Sequence, residues 1–125
     1  MTEDLLPVMR ARFPQLFASE NLREVACFSG WLDLLDNLCR ELENYLAQNP
    51  SVPSIRVRQV KEKFGGLRFY VFGGDAWCHA TIALAQERSL SICEICGQPG
   101  CLVGERWVSV RCADHVDSSL STREI

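Results

Sequence analysis

Two pairs of metal-ligating residue types constrain this chain more than any other feature. Cys93-Glu94-Ile95-Cys96-Gly97 is followed by Cys112-Ala113-Asp114-His115, a C-x2-C-x15-C-x2-H spacing. Two thiols that close together can converge on one ion across a tight turn, and a second pair further along completes a four-ligand set, the pattern of a structural zinc site. Gly97 allows the turn to aim its amides at the sulfurs. Leu102-Val103 and Trp107-Val108-Ser109-Val110 flank Gly104-Glu105, so a small hairpin returns the second pair to the first. A knuckle, a hairpin and a ligand pair at a helix start follow the order of a treble-clef zinc finger. Cys101 competes with His115 for the fourth position, and His115 is preferred because with Cys112 it repeats the spacing of the first pair. With every position filled by a side chain, zinc is expected to be structural, holding together a segment too poor in apolar residues to fold by itself.

The remaining cysteines read differently. Seven in all is an odd, irregular set, and the Met-Thr-Glu-Asp start lacks the basic opening of an export signal. A disulfide framework is therefore not expected, and the cytoplasm is the expected compartment. Cys27 and Cys39 lie among apolar residues and read as buried thiols. Cys78-His79 has the composition of a nucleophile and its base, but neighbours on a helix point about 100° apart, so packing is the better account. With His115 a ligand, His79 is the one remaining histidine. No Ser-His-Asp or paired-carboxylate spacing stands out, and catalysis is not expected.

At 125 residues and 47% hydrophobic content, the chain has the size and composition of one globular domain. The patterning predicts an α+β fold with helices packed on a β-hairpin. A short helix near 4–12 starts at Glu3 and Asp4, with Pro7 tolerated in its first turn. Ser29 is an N-cap for a helix over 30–48, in which Trp31, Leu34, Leu35, Leu38, Leu42, Tyr45 and Leu46 recur at helical spacing until Asn49-Pro50. The period then changes to two. Ile55 and Val57 alternate with Arg56 and Arg58, and Leu67, Phe69 and Val71 with Arg68, Tyr70 and Phe72, giving a hairpin over about 55–72. Gly65-Gly66 supplies the positive backbone angles of its turn, and a slip in alternation near Gln59-Val60 marks a bulge. Asp75 caps a third helix over 75–89. Trp31, Leu35, Leu38, Leu42, Ile55, Val57, Leu67, Phe69 and Val71 are the expected core. The chain divides into a helical and hairpin part (1–90), a zinc module (91–118) and a polar tail (119–125) that frays. Because the ligands all lie in 91–118, the module is expected to loosen separately from residues 30–72.

Charge is unevenly distributed. Between Ser54 and Tyr70 stand Arg56, Arg58, Lys61, Lys63 and Arg68 against Glu62 alone, a net +4 in a chain of −3, so the remainder carries −7. With the apolar residues inward, Arg56, Arg58, Arg68 and Tyr70 share the outer face. Such a face is either a solvated surface partly paired with the acidic helices or a docking surface for an acidic protein or a nucleic acid. The acidic total disfavours general nucleic-acid affinity, and no apolar run is long enough to cross a membrane.

Several stretches taken together resemble a group of small uncharacterised bacterial and phage proteins. They are Gly30-Trp31 opening a Leu-rich helix, the run Val60-Lys61-Glu62-Lys63-Phe64-Gly65-Gly66-Leu67-Arg68-Phe69-Tyr70, and Ser91-Ile92-Cys93-Glu94-Ile95-Cys96-Gly97-Gln98-Pro99-Gly100 before Trp107 and Cys112-x2-His115. The resemblance implies zinc at Cys93, Cys96, Cys112 and His115, and a setting in which small standalone proteins are often inhibitors, immunity factors or regulators. It implies no particular activity. The expected function is thus a non-catalytic protein-binding module, an inhibitor or immunity-type factor with a protein partner of unknown identity; a nucleic-acid-binding regulator using the basic hairpin comes second, and an enzyme a distant third.

Overall fold

Leu34, Leu35, Leu38, Cys39 and Leu42 form one buried face of the long central helix in the computed structural model, which describes residues 3–116. Among the described residues there are three α-helices, α1 (Leu6–Arg12), α2 (Leu32–Gln48) and α3 (Ala76–Arg88), with single 3-10 turns at Ser29–Trp31 and Ser89–Ser91. Strands β1 (Val25–Ala26), β2 (Arg56–Lys63) and β3 (Gly66–Phe72) make one sheet in the order β1-β2-β3, and β4 (Cys101–Val103) pairs with β5 (Ser109–Arg111) in a second. The architecture is α+β as expected. The predicted polar tail (119–125) and the last two residues of the predicted zinc module lie outside the described residues, as does any helix following His115.

Helix starts show how local chemistry and distant contacts share the work. Asp4 Oδ1 accepts from the amides of Leu6 (2.9 Å) and Val25 (3.0 Å), so the carboxylate that opens α1 also ties it to β1. Asp75 Oδ1 accepts from the Cys78 amide (3.1 Å), the N-cap expected for α3. Ser29, in contrast, caps nothing: its hydroxyl donates to Glu3 (3.4 Å), and the chain enters α2 through a 3-10 turn. The amides such a cap would serve bond to backbone carbonyls instead, Trp31 to Phe28 and Leu32 to Ser29, while the Gly30 amide donates to the Glu94 carbonyl (2.8 Å), far along the chain.

In the hairpin, the bulge falls at Arg58, between Val57 and Gln59. One extra residue there restores the phase, so Val57 and Val60 are both buried. The turn is built from Phe64 (φ 54°) and Gly65 (φ 85°), whereas Gly66 already belongs to β3 and pairs with Lys63. Positive φ at both central residues is what a two-residue hairpin turn of the primed type requires. The two glycines of the sequence therefore do not form the turn between them, as predicted; Phe64 takes the first position.

β1 was not anticipated, since two residues carry no readable period. It lies parallel to β2, with Val25 opposite Val60, and α2 forms part of the crossover that such a pairing needs. The opposite edge of the sheet is also covered. The amides of Leu67 and Phe69 donate to Ser89 Oγ (2.9 Å) and Gln86 Oε1 (2.8 Å), which leaves β3 less able to accept a further strand. All nine expected core residues lie in or against one apolar cluster, Val71 only partly buried at its margin. Phe13, Leu16, Phe17 and Leu22 join that cluster from the segment between α1 and β1.

Candidate metal centre

The knuckle is made by a reversal at Gly97 (φ 85°), whose amide donates to the Cys93 carbonyl (2.8 Å), while the Cys93 amide donates to the Gln98 carbonyl (2.7 Å). This brings Cys93 and Cys96 onto one side of the turn. The β4-β5 ribbon leads back to Cys112, and the turn closed by the His115 amide on the Cys112 carbonyl (3.1 Å) presents the second pair. Cys93, Cys96, Cys112 and His115 converge so that their four ligand atoms lie within 4.8 Å of one another and could hold a metal ion. Cys96 Sγ is 3.6 Å from Cys112 Sγ, and His115 Nδ1 is 3.8 Å from Cys93 Sγ and 3.2 Å from Cys112 Sγ. A tetrahedral ion with bonds of about 2.3 Å to sulfur and 2.0–2.1 Å to nitrogen has S···S and S···N edges of about 3.8 and 3.5 Å, so the side chains are already near their bound spacing.

Cys101, the competing fourth ligand, is exposed on β4 opposite Arg111, one residue short of Cys112, and stands outside the cluster. Burial opposes ionisation of Cys93, but the amides of Cys96, Cys112 and Ile95 point at its sulfur and outweigh that effect, lowering it to about 7. At Cys96 the Gln98 amide favours the thiolate, yet burial and the neighbouring sulfurs of Cys112 and Cys93 prevail and move it upward. Such a group of thiols crowded together is one that a cation would relieve.

The segment that carries the candidate ligands is anchored on the 3-10 turn leading into α2. Trp31 is fully buried, and its Nε1 donates to the Ile92 carbonyl (3.0 Å). Gly30 lies so close to the knuckle that a Cβ there would run into the backbone of Cys93 and Glu94. These contacts bridge the two parts that the sequence separated. Gly30→Ala is accordingly expected to destabilise the protein by the upper part of the about 1–3 kcal/mol typical of overpacking. Urea unfolding would check this; a loss below about 0.5 kcal/mol, the range of ordinary surface substitutions, would show that the contact yields freely.

A partly buried ion pair spans the same region. Glu94 stands between the first two ligands and is 2% exposed, with its Oε1 3.6 Å from Nε of Arg111, the residue before the third. Arg111 donates through Nη1 to the His115 carbonyl (3.3 Å). One guanidinium therefore links the knuckle to the second ligand pair. Burial raises Glu94 above the usual carboxylate range, with the Arg111 charge acting against that shift. Neither residue was singled out from sequence, although their positions beside Cys93 and Cys112 could have drawn attention to them.

The predicted basic surface is a distinct feature. Register places Arg56 opposite Phe72, Gln59 opposite Tyr70 and Lys61 opposite Arg68, alternating with the inward pairs Val57–Val71 and Val60–Phe69. Among the described residues, none of Arg56, Arg58, Lys61, Lys63 and Arg68 forms an ion pair, so of the two alternatives for this face the partial pairing with acidic helices is not made there. The Arg58 guanidinium lies over the rings of Tyr70 (5.3 Å) and Phe72 (5.6 Å). Phe72 and Phe64 are exposed at 61% and 73%. Phe72 was not included in the predicted surface, although the Arg68-Tyr70-Phe72 alternation already placed it there.

Cys27, Cys39 and Cys78 are buried as expected, and burial, joined by the charge of Glu94, pushes Cys27 up to about 12. His79 is exposed on α3, whereas Cys78 points into the core. A groove of roughly 890 Å³ lies elsewhere, lined by residues including Leu16, Glu43, Leu46, Val52 and Arg56, and contains none of the four ligands. Among the described residues, no helix is long and apolar enough to cross a membrane. Compared with family models, curated proteins and solved structures, the chain matches none.

Proposed function

We propose that this chain is a non-catalytic binding module, braced by a structural zinc ion on Cys93, Cys96, Cys112 and His115 and working through the outer face of the β2-β3 hairpin. The observation that carries the reading is the closure of the ligand set: three sulfurs and one imidazole nitrogen within 4.8 Å of one another. Catalytic zinc sites usually have three protein ligands and leave a position for water or substrate, whereas four protein ligands are the structural arrangement. Thiolate-rich sites suit zinc better than magnesium or calcium, and the ligand spacing matches its bond lengths. The ion would hold the knuckle, the β4-β5 ribbon and the turn at His115 in treble-clef order.

Cobalt substitution tests the closed site. The purified protein is expected to bind one metal per chain, and its cobalt form should show a visible spectrum that does not change on addition of azide or cyanide. A spectral change on adding either anion would reveal an open coordination position and favour an enzyme instead.

A further inference from the structure

We infer that the outer face of the β2-β3 hairpin binds single-stranded nucleic acid, bases stacking on its aromatic rings while its cations meet the phosphates. This rests on the reading of the hairpin as the working surface and adds the chemistry of its partner. Three observations point the same way. Arg56, Arg58, Lys61, Lys63 and Arg68 lack carboxylate partners among the described residues, so their charge is available to an anion. Within this basic field, two residues apart on one strand face, lie Tyr70 and the exposed Phe72, with the Arg58 guanidinium over both rings. At the turn, Phe64 holds a positive φ of 54°, unfavourable for a bulky residue, and the residue is 73% exposed with Lys63 over its ring at 5.6 Å. An aromatic kept exposed at a conformational cost is hard to explain by packing.

The choice of partner follows from shape as well as charge. An acidic peptide would be attracted to the cations but has no need of the exposed rings. Strand addition is hindered because Ser89 and Gln86 occupy the Leu67 and Phe69 amides at the edge of β3. Paired bases conceal their faces in a duplex, whereas unpaired bases offer them to aromatic side chains and guanidinium groups. The −7 carried by the rest of the chain confines attraction to this face. Stacking and phosphate contacts do not require a 2′-hydroxyl, so DNA and RNA strands should bind alike.

The test is fluorescence anisotropy with the full, metal-loaded chain and labelled oligo(dT), oligo(U) and a mixed-sequence duplex. Both single strands are expected to bind, the duplex more weakly, with a log–log salt slope no steeper than about −3.5 for five phosphate contacts. Phe72→Ala should lower affinity about 5- to 150-fold, the usual loss on removing a stacking ring. Arg58→Glu with Lys61→Glu should weaken binding and reduce the slope by about 1.4. Arg88→Glu, on the α2-α3 side, should leave binding unchanged. If the substitution at the bulge disturbs folding, judged by circular dichroism, Arg56→Glu with Lys63→Glu replaces it. Absence of single-strand binding at low salt overturns the proposal, as does equal or tighter binding of the duplex. Binding of poly-L-glutamate, lost in the same variants, without oligonucleotide binding would also overturn it while leaving the hairpin as a working surface. Oligonucleotide binding unaffected by every substitution on the face would instead overturn the assignment of the surface itself.

Discussion

Chelation of the metal, or replacement of Cys93 by Ser, is expected to disorder residues 92–116 and to loosen the start of α2 with them. The ligands lie on two segments joined by a short ribbon, and the buried residues Cys93, Val103 and Val110 provide little apolar mass of their own. Structural zinc contributes about 10–16 kcal/mol of apparent binding free energy in finger peptides near neutral pH, comparable with the about 5–15 kcal/mol stability of a whole domain. Loss of the ion should therefore cost several kcal/mol here. Hydrogen exchange would locate the effect: protection should fall at Gly30, Glu94 and Gly97, whose amides donate to Glu94, Val110 and Cys93. Unchanged exchange after complete metal removal would sink the structural role, and a chain purified without stoichiometric zinc would sink the metal assignment.

Trp31→Ala should produce the second large loss. The side chain is fully buried at the entrance to α2, and truncation of such a ring typically costs about 3–5 kcal/mol. It would also leave the Ile92 carbonyl without the indole donor. Because that carbonyl precedes Cys93, zinc affinity should fall together with stability. Trp31→Phe separates the two contributions, retaining most of the apolar volume but removing the Nε1 hydrogen bond. Chemical denaturation and competition with a zinc chelator would measure both effects. Destabilisation below about 1 kcal/mol by Trp31→Ala would mean that this anchor is dispensable.

Much of the fold is readable from near neighbours. Leucines at helical spacing define α2, Asp75 marks the start of α3, and alternation from Ile55 to Phe72 predicts the hairpin. These features are legible because burial selects one face of a helix or strand, so their period is written into adjacent residues. The ligand spacing likewise identifies Cys93, Cys96 and Cys112, and repetition of that spacing favours His115 over Cys101. The turn was harder to place: three consecutive residues, Phe64, Gly65 and Gly66, allow two registers, and pairing of Lys63 with Gly66 selects the one containing Phe64.

Sequence alone thus determined the helical and strand periods, the segregation of positive charge on one hairpin and the set of residues able to converge as ligands. Tertiary structure decided what closes each of these locally incomplete parts. The Glu94 carbonyl satisfies the Gly30 amide; Trp31 reaches Ile92 across 61 residues; and β1 finds β2 only after α2 has turned the chain back. Such contacts leave no period in the sequence because each depends on two surfaces meeting in space. The same reason explains the outer hairpin face, where bulge and register bring Arg58 over Tyr70 and Phe72, converting a run of alternating residues into one basic and aromatic surface.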